Sequence, residues 1–174
     1  REVSVRTARG GRVLTYDWLV LAAGSRLNPP DVPGVAEHGF AVDTHAEAVA
    51  LERHLDALPE LSSTRAGRFT AVVVGAGFTG LETGTELLGR LRSIAARVEA
   101  ADDARVVLVE RADVVGPDLG PTPRPLIERA LRELGVDVRL GAAPTEVRAD
   151  GVLLEGGEWL PAATTVWTAG LRAS

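Results

Sequence analysis

Apolar and polar positions alternate through the first part of the chain. Val3-Ser-Val-Arg and Arg12-Val-Leu-Thr-Tyr-Asp17, separated by Arg9-Gly10-Gly11, predict a β-hairpin with a glycine turn. The continuous apolar run Leu19-Val-Leu-Ala-Ala-Gly24 then predicts a buried strand ending in small residues. Asn28-Pro-Pro-Asp-Val-Pro-Gly34 continues neither strand nor helix, because proline lacks an N–H and fixes φ, so it is the best linker candidate. From Thr44 to Leu58, apolar residues at Ala48, Leu51, Leu55 and Leu58 have the spacing of an amphipathic helix, with Asp43 or Thr44 as its cap.

After a polar loop from Ser62 to Gly67, the pattern becomes regular. Phe69 to Val74 reads as a buried strand, and Leu81, Gly84, Leu88, Leu91, Ala95 and Val98 keep one helical stripe. Arg105-Val-Val-Leu-Val-Glu110 is a second buried strand, Pro125 to Leu134 a second helix closed by Gly135, and Val136 to Leu140 a third strand. The order β-α-β-α-β argues a parallel sheet with right-handed crossovers. Glu146-Val-Arg, Val152-Leu-Leu and Glu158-Trp-Leu, punctuated by Asp150-Gly151 and Gly156-Gly157, predict a small antiparallel meander. A last strand, Thr164 to Trp167, runs into Thr168-Ala-Gly170. The expected fold is α/β: a Rossmann-like parallel sheet with helices on both faces plus the meander.

Where the first of these strands meets its helix stands Gly75-Ala76-Gly77-Phe78-Thr79-Gly80. Glycine at the first position permits a tight turn, at the second it lets the backbone approach a pyrophosphate, and at the third it lets helix and sheet pack closely. Phosphates would sit on the helix N-terminus, where free N–H groups and the dipole favour negative charge. Glycine-rich turns also serve ordinary strand-to-helix connections, so the motif gains its force from the flanking elements.

Composition narrows the chemistry. The net charge of −5 argues against nucleic acid as a partner, and all 19 basic residues are Arg. Without Cys there is no disulfide, thiolate metal site or redox-active cysteine pair, so redox chemistry would need a cofactor. No apolar run reaches the roughly 20 residues of a spanning helix. The chain lacks Met and starts at Arg1, which leads us to expect a piece of a longer protein, with a cytoplasmic setting as the default. His38, His45 and His54 lack metal-ligand spacing and are expected at exposed or capping positions, and Trp18, Trp159 and Trp167 in a core. Asp113, Pro117 and Asp118 read as a turn, with no metal implied.

Two similar endings, Leu21-Ala-Ala23-Gly24 and Trp167-Thr-Ala169-Gly170, lie on either side of the glycine motif. With Gly75-x-Gly77-x-x-Gly80-x-Glu82-x-Gly84, they make the chain resemble the pyridine nucleotide-disulfide oxidoreductase superfamily, flavoproteins with two dinucleotide-binding domains. In that family an NAD(P)H domain interrupts a FAD domain, and small-residue turns mark the crossings near the flavin. The resemblance implies a FAD-domain segment and linker over residues 1–38, an NAD(H)-binding domain over 39–168, and a return into the FAD domain over 169–174. Glu110 lies 30 residues past Gly80, where the generic motif places its acid about 20 past the last glycine. That lengthening, between Arg92 and Ala104, and the Trp-Thr-Ala-Gly ending look like the type II NADH dehydrogenase branch, which passes electrons from NADH to quinones.

The resemblance implies NADH and FAD as cofactors and a quinone as the small-molecule acceptor. A peripheral membrane contact through a missing C-terminal part and a homodimer also belong to it. Gly75 to Gly80 would hold the diphosphate. Glu110 would accept hydrogen bonds from the adenosine ribose and repel a 2′-phosphate, with Arg111 beside it weakening that preference. Ala23, Gly24, Ala169 and Gly170 would lie beside the flavin, though both glycines could simply end strands. Glu82, the one catalytic candidate, would lie near nicotinamide and flavin. Thr79-x-x-Glu82 also matches a capping box, and Glu110 could be a solvated strand-end carboxylate. Other readings are a flavin reductase with a small redox-protein acceptor and a non-catalytic NADH-binding or sensing module.

Overall fold

The computed structural model describes residues 1–27 and 31–173. β1 (Glu2–Thr7) and β2 (Gly10–Thr15) form the expected hairpin, paired from Glu2↔Thr15 to Thr7↔Gly10. Residues 16–24 depart from expectation: they form no strand, and Trp18, Val20 and Leu21 are 89%, 85% and 85% exposed. A continuous apolar run becomes a buried strand only with a ladder partner and cover on both faces, and among the described residues it has neither. Trp18 is therefore no core residue, whereas Trp167 is buried and Trp159 half-buried beneath the Arg148 guanidinium. Of the linker candidate, residues 28–30 lie outside the described residues. Asp31 to Gly34 lead into a short helix, α1 (Val35–His38), and a two-residue strand, β4 (Gly39–Phe40), which the pattern does not announce.

Two elements frame the core unit. β3 (Ser25–Leu27) pairs antiparallel with the last strand, β12 (Leu171–Ala173). α2 (His45–Ala57) starts on a complete capping box: the Thr44 hydroxyl accepts from the Glu47 N–H, and the Glu47 carboxylate accepts from the Thr44 N–H.

The five-stranded sheet contains β4, β5 (Thr70–Val74), β6 (Arg105–Val109), β7 (Asp137–Arg139) and β11 (Thr164–Trp167), in the order β4-β11-β5-β6-β7. Every neighbouring pair is parallel. From β4 to β5, β6 and β7 the chain steps one way across the sheet through α2, α3 (Phe78–Ala95) and α4 (Arg124–Leu134). Right-handed crossovers in one direction place these helices on one face. The single backward step, β7 to β11, must use the other face. There lies the meander of β8 (Pro144–Arg148), β9 (Gly151–Leu154) and β10 (Trp159–Pro161).

Side-chain alternation along the strands feeds both layers. Ala71, Val73, Val106 and Leu108 pack with Leu51 and Leu55 of α2, Leu88 and Leu91 of α3 and Leu131 of α4. Val72, Val74, Val107 and Val109 point the other way, to Val147, Val152, Leu154 and Leu160 of the meander. The α3 stripe ends at Ala95. Val98, in the following 3-10 turn, is 40% exposed, and Ala48 of α2 is also exposed. Arg90 and Arg97 of the α3 segment pair with Glu52 and Asp56 of α2 across the helix surface. No helix among the described residues is long and apolar enough to cross a membrane.

His54 also departs from expectation. It is half-buried between α2 and the sheet, with Nε2 3.0 Å from the Thr164 hydroxyl and its ring 4.6 Å from that of Phe40. Burial holds its pKa below the ordinary value, with a smaller push from Arg65 in the same direction against a hydrogen bond to Ala163. His38 and His45 are exposed.

Candidate functional site

The connection from β5 to α3 lies at the C-terminal edge of the sheet, where the chain leaves β5 towards β6 on one side while β11 occupies the other. Such switch points open a crevice in parallel sheets. Gly75 turns the chain with φ of 103°, a conformation L side chains rarely adopt. Gly80, in the first turn of α3, packs so closely that a Cβ there would lie 1.7 Å from the Gly75 carbonyl oxygen. Gly77 differs from both: its φ of −71° suits any residue, and a Cβ would meet nothing within 4 Å. The space in front of it is open.

The peptides before Gly77 are committed. Gly75 N–H donates to Val109 O at 2.8 Å, Ala76 N–H to Glu110 Oε2 at 2.7 Å, and Gly116 N–H to Ala76 O at 3.0 Å. From Gly77 onward this changes. α3 has Gly77 as its cap and no side-chain capping bond, and the N–H groups of Gly77, Phe78 and Thr79 meet no acceptor among the described residues. The expected capping box at Thr79 and Glu82 is absent, because the extended Gly77 lets the helix begin two residues earlier and places Thr79 inside the first turn. Glu82 is exposed, and its carboxylate has no polar partner among the described residues. Amides without an acceptor among the described residues, at the positive end of an 18-residue helix and next to the open approach at Gly77, suit an anion.

Beside the turn lies a cavity of about 520 Å³ that reaches from Glu110, Arg111 and Ala142 past Gly75 to Trp167, Ala169 and Gly170. Glu110 immediately follows β6, half-buried, and its second oxygen accepts from Ala112 N–H at 2.9 Å. Each carboxylate oxygen keeps a lone pair for a further donor. Arg111 and Glu155 set opposite charges on the rim. At the far end, Thr168 donates through its hydroxyl to Val74 O at 2.8 Å, and the Trp167 indole N–H donates to Ala169 O at 3.0 Å. These bonds fix the Thr168-Ala169-Gly170 turn against the glycine turn.

The structure thus brings Gly75, Glu110, Arg111, Ala169 and Gly170 to one cavity, with Ala76 buried behind it and Gly77, Phe78 and Thr79 along the adjoining turn. Ala23 and Gly24 are exposed and do not line it; Gly24 immediately precedes β3, whose partner β12 follows Gly170. Sequence reasoning overlooked Ala142, Gly116 and the Thr168 hydroxyl. Only the Trp-Thr-Ala-Gly ending carried a signal for one of them.

A family model described as pyridine nucleotide-disulphide oxidoreductase matches residues 1–174. The NADH dehydrogenase-like protein MT1860 of Mycobacterium tuberculosis is 48% identical over 180 residues, 99% of this chain and 44% of that protein. Type II NADH:quinone oxidoreductase NdhA of the same organism is 34% identical over 175 residues, 93% of this chain and 37% of that one. In fold, the chain is similar to NDH2 from Plasmodium falciparum in complex with NADH, with a TM-score of 0.74 at 17% identity, over 99% of this chain and 38% of that one. The chain spans less than half the length of these relatives.

Proposed function

Since the chain belongs to the pyridine nucleotide-disulphide oxidoreductase family, we propose that it is the NAD(H)-binding part of a FAD-dependent oxidoreductase. In the whole protein NADH would reduce the flavin, and electrons would pass on to a quinone-like acceptor. The observation that carries this reading is the row of amides at Gly77, Phe78 and Thr79, without an acceptor among the described residues, at the α3 N-terminus where a side chain at Gly77 would meet nothing within 4 Å. The names of relatives, NADH dehydrogenase-like protein and type II NADH:quinone oxidoreductase, support the donor and suggest the acceptor.

The residues present fit such a cofactor. The amides at the α3 N-terminus would take the diphosphate, and Gly77 would let it approach without meeting a side chain. Glu110 would accept the adenosine ribose hydroxyls on its spare lone pairs, and its charge favours NADH over NADPH. The cavity continues to Ala169 and Gly170, which would border the nicotinamide and keep water from one side of it. Glu82, one turn into α3, would orient the donor or hold a proton there. Bound NADH supplies the hydride; this chain's work is to hold the donor and exclude water.

Residues 39–168 would form the NAD(H) unit. The β3–β12 ribbon would be its stem, and residues 1–38 and 169–174, with Ala23 and Gly24, would border the flavin. The reading also includes a homodimer and a peripheral membrane contact, the latter through a C-terminal part of the whole protein.

Titration of NADH fluorescence against wild type and Gly77→Val tests the carrying observation. The valine side chain would fill the open space, so affinity should fall about tenfold or more; equal affinities would overturn the assignment. For the acceptor, the whole protein should carry flavin and oxidise NADH with a soluble quinone. Turnover only with a protein acceptor would reject the quinone.

A further inference from the structure

Resting on the NAD(H) reading, we propose that Glu110 has a second task, separate from any contact with ribose. It is the positioning residue that holds the glycine turn in its diphosphate-binding shape. Its two carboxylate oxygens are both engaged within the chain, Oε2 by the Ala76 N–H at 2.7 Å and Oε1 by the Ala112 N–H at 2.9 Å. The side chain therefore bridges the end of β6 to the turn leaving β5. Ala76 is fully buried, so its N–H has no recourse to water.

The consequence is a division of labour among the amides. Val109 O takes the Gly75 N–H, and Glu110 takes that of Ala76, so the first amide left for a ligand is that of Gly77. On the other side of the peptide, Gly116 N–H holds the Ala76 carbonyl, and the Thr168 hydroxyl lies 3.2 Å from that of Gly75. Of these restraints, only those of Glu110 and Thr168 come from side chains. Glu110 is the charged one, and a hydrogen bond to a carboxylate is about twice as strong as one between neutral groups. Without it, Ala76 would keep a buried donor unpaired or rotate its peptide away, moving the amides that follow. Glutamine cannot replace the carboxylate, because it offers one accepting oxygen and a donating NH₂ where two donors converge.

The two tasks separate by ligand chemistry. NADH and an analogue lacking both adenosine ribose hydroxyls are titrated against wild type and Glu110→Gln in the full chain. A role confined to ribose weakens NADH alone. The positioning role weakens the dideoxy analogue as well, by about tenfold or more. In the unliganded wild type, a hydrogen-bond scalar coupling between the Ala76 nitrogen and the Glu110 carboxyl carbon reports the bond directly, whether or not the variant folds. Its absence, or equal affinity of both proteins for the dideoxy analogue, overturns the inference. Should wild type bind neither ligand, the NAD(H) reading falls and this inference with it. A loss confined to NADH overturns the inference alone.

Discussion

The Thr168 hydroxyl donates to the carbonyl of Val74 at 2.8 Å, and the Thr168 N–H reaches the same oxygen at 2.9 Å. This double contact joins the ends of β11 and β5 where the chain turns into the candidate site. Thr168→Val keeps the shape and removes the hydroxyl donor, so stability should fall by about 1–2 kcal/mol in urea unfolding, with weaker NADH binding. Thr168→Ser should restore most of both. Unchanged unfolding and affinity in the valine variant would show the hydroxyl to be idle.

Two glycines of α3, one turn apart, should respond in opposite ways to the same substitution. Gly80→Ala puts a methyl 1.7 Å from the Gly75 carbonyl oxygen, which forces helix and turn apart. A loss of about 2 kcal/mol or more is expected, together with NADH affinity. At Gly84 the added methyl meets Val106 at 3.6 Å, an ordinary contact. Gly84→Ala should stabilise the helix by up to about 1 kcal/mol. Thermal unfolding of the pair checks the contrast, and a destabilised Gly84→Ala would refute the packing argument.

His54 should make stability depend on pH. Its folded pKa lies below the unfolded value of about 6.5, so the unfolded chain binds the proton first. The contribution is complete above that unfolded value and is lost as pH falls towards the folded one. The urea midpoint should therefore drop as pH falls through and below about 6.5, and His54→Gln should flatten the drop. Parallel profiles for the two proteins would exclude His54 as its source.

Removal of the α2 cap gives a simpler test. Thr44→Ala deletes the acceptor for the Glu47 N–H and should cost about 1 kcal/mol, read in urea. Thr44→Ser should behave as wild type. Loss of stability in the serine variant too would locate the effect in the methyl group.

The alternating core was legible because its signals are local. Five-residue strands such as Thr70–Val74 and the stripe through Leu88 and Leu91 declare their type and their buried faces by periodicity alone. The departures share one cause, which is that tertiary surroundings decided them. Leu19 to Gly24 has a buried strand's composition without a neighbouring strand. Thr79 and Glu82 have a capping box's spacing, but the helix starts earlier because Gly77 is extended. β3, β4 and β12 are short and pair with residues more than a hundred positions away, a relation no window of sequence contains. At the site, the glycines and Glu110 were visible as a motif. The bond between Glu110 and Ala76 was not, since it joins residues 34 apart through a geometry only the fold supplies.

The exposed Trp18 has a practical consequence. An indole 89% open to solvent emits at the red limit of its range, whereas Trp167, 4% exposed, emits further to the blue. The chain thus carries its own optical gauge. Any surface that comes to cover the Trp18-to-Leu21 stretch will announce itself as a blue shift, without a label attached.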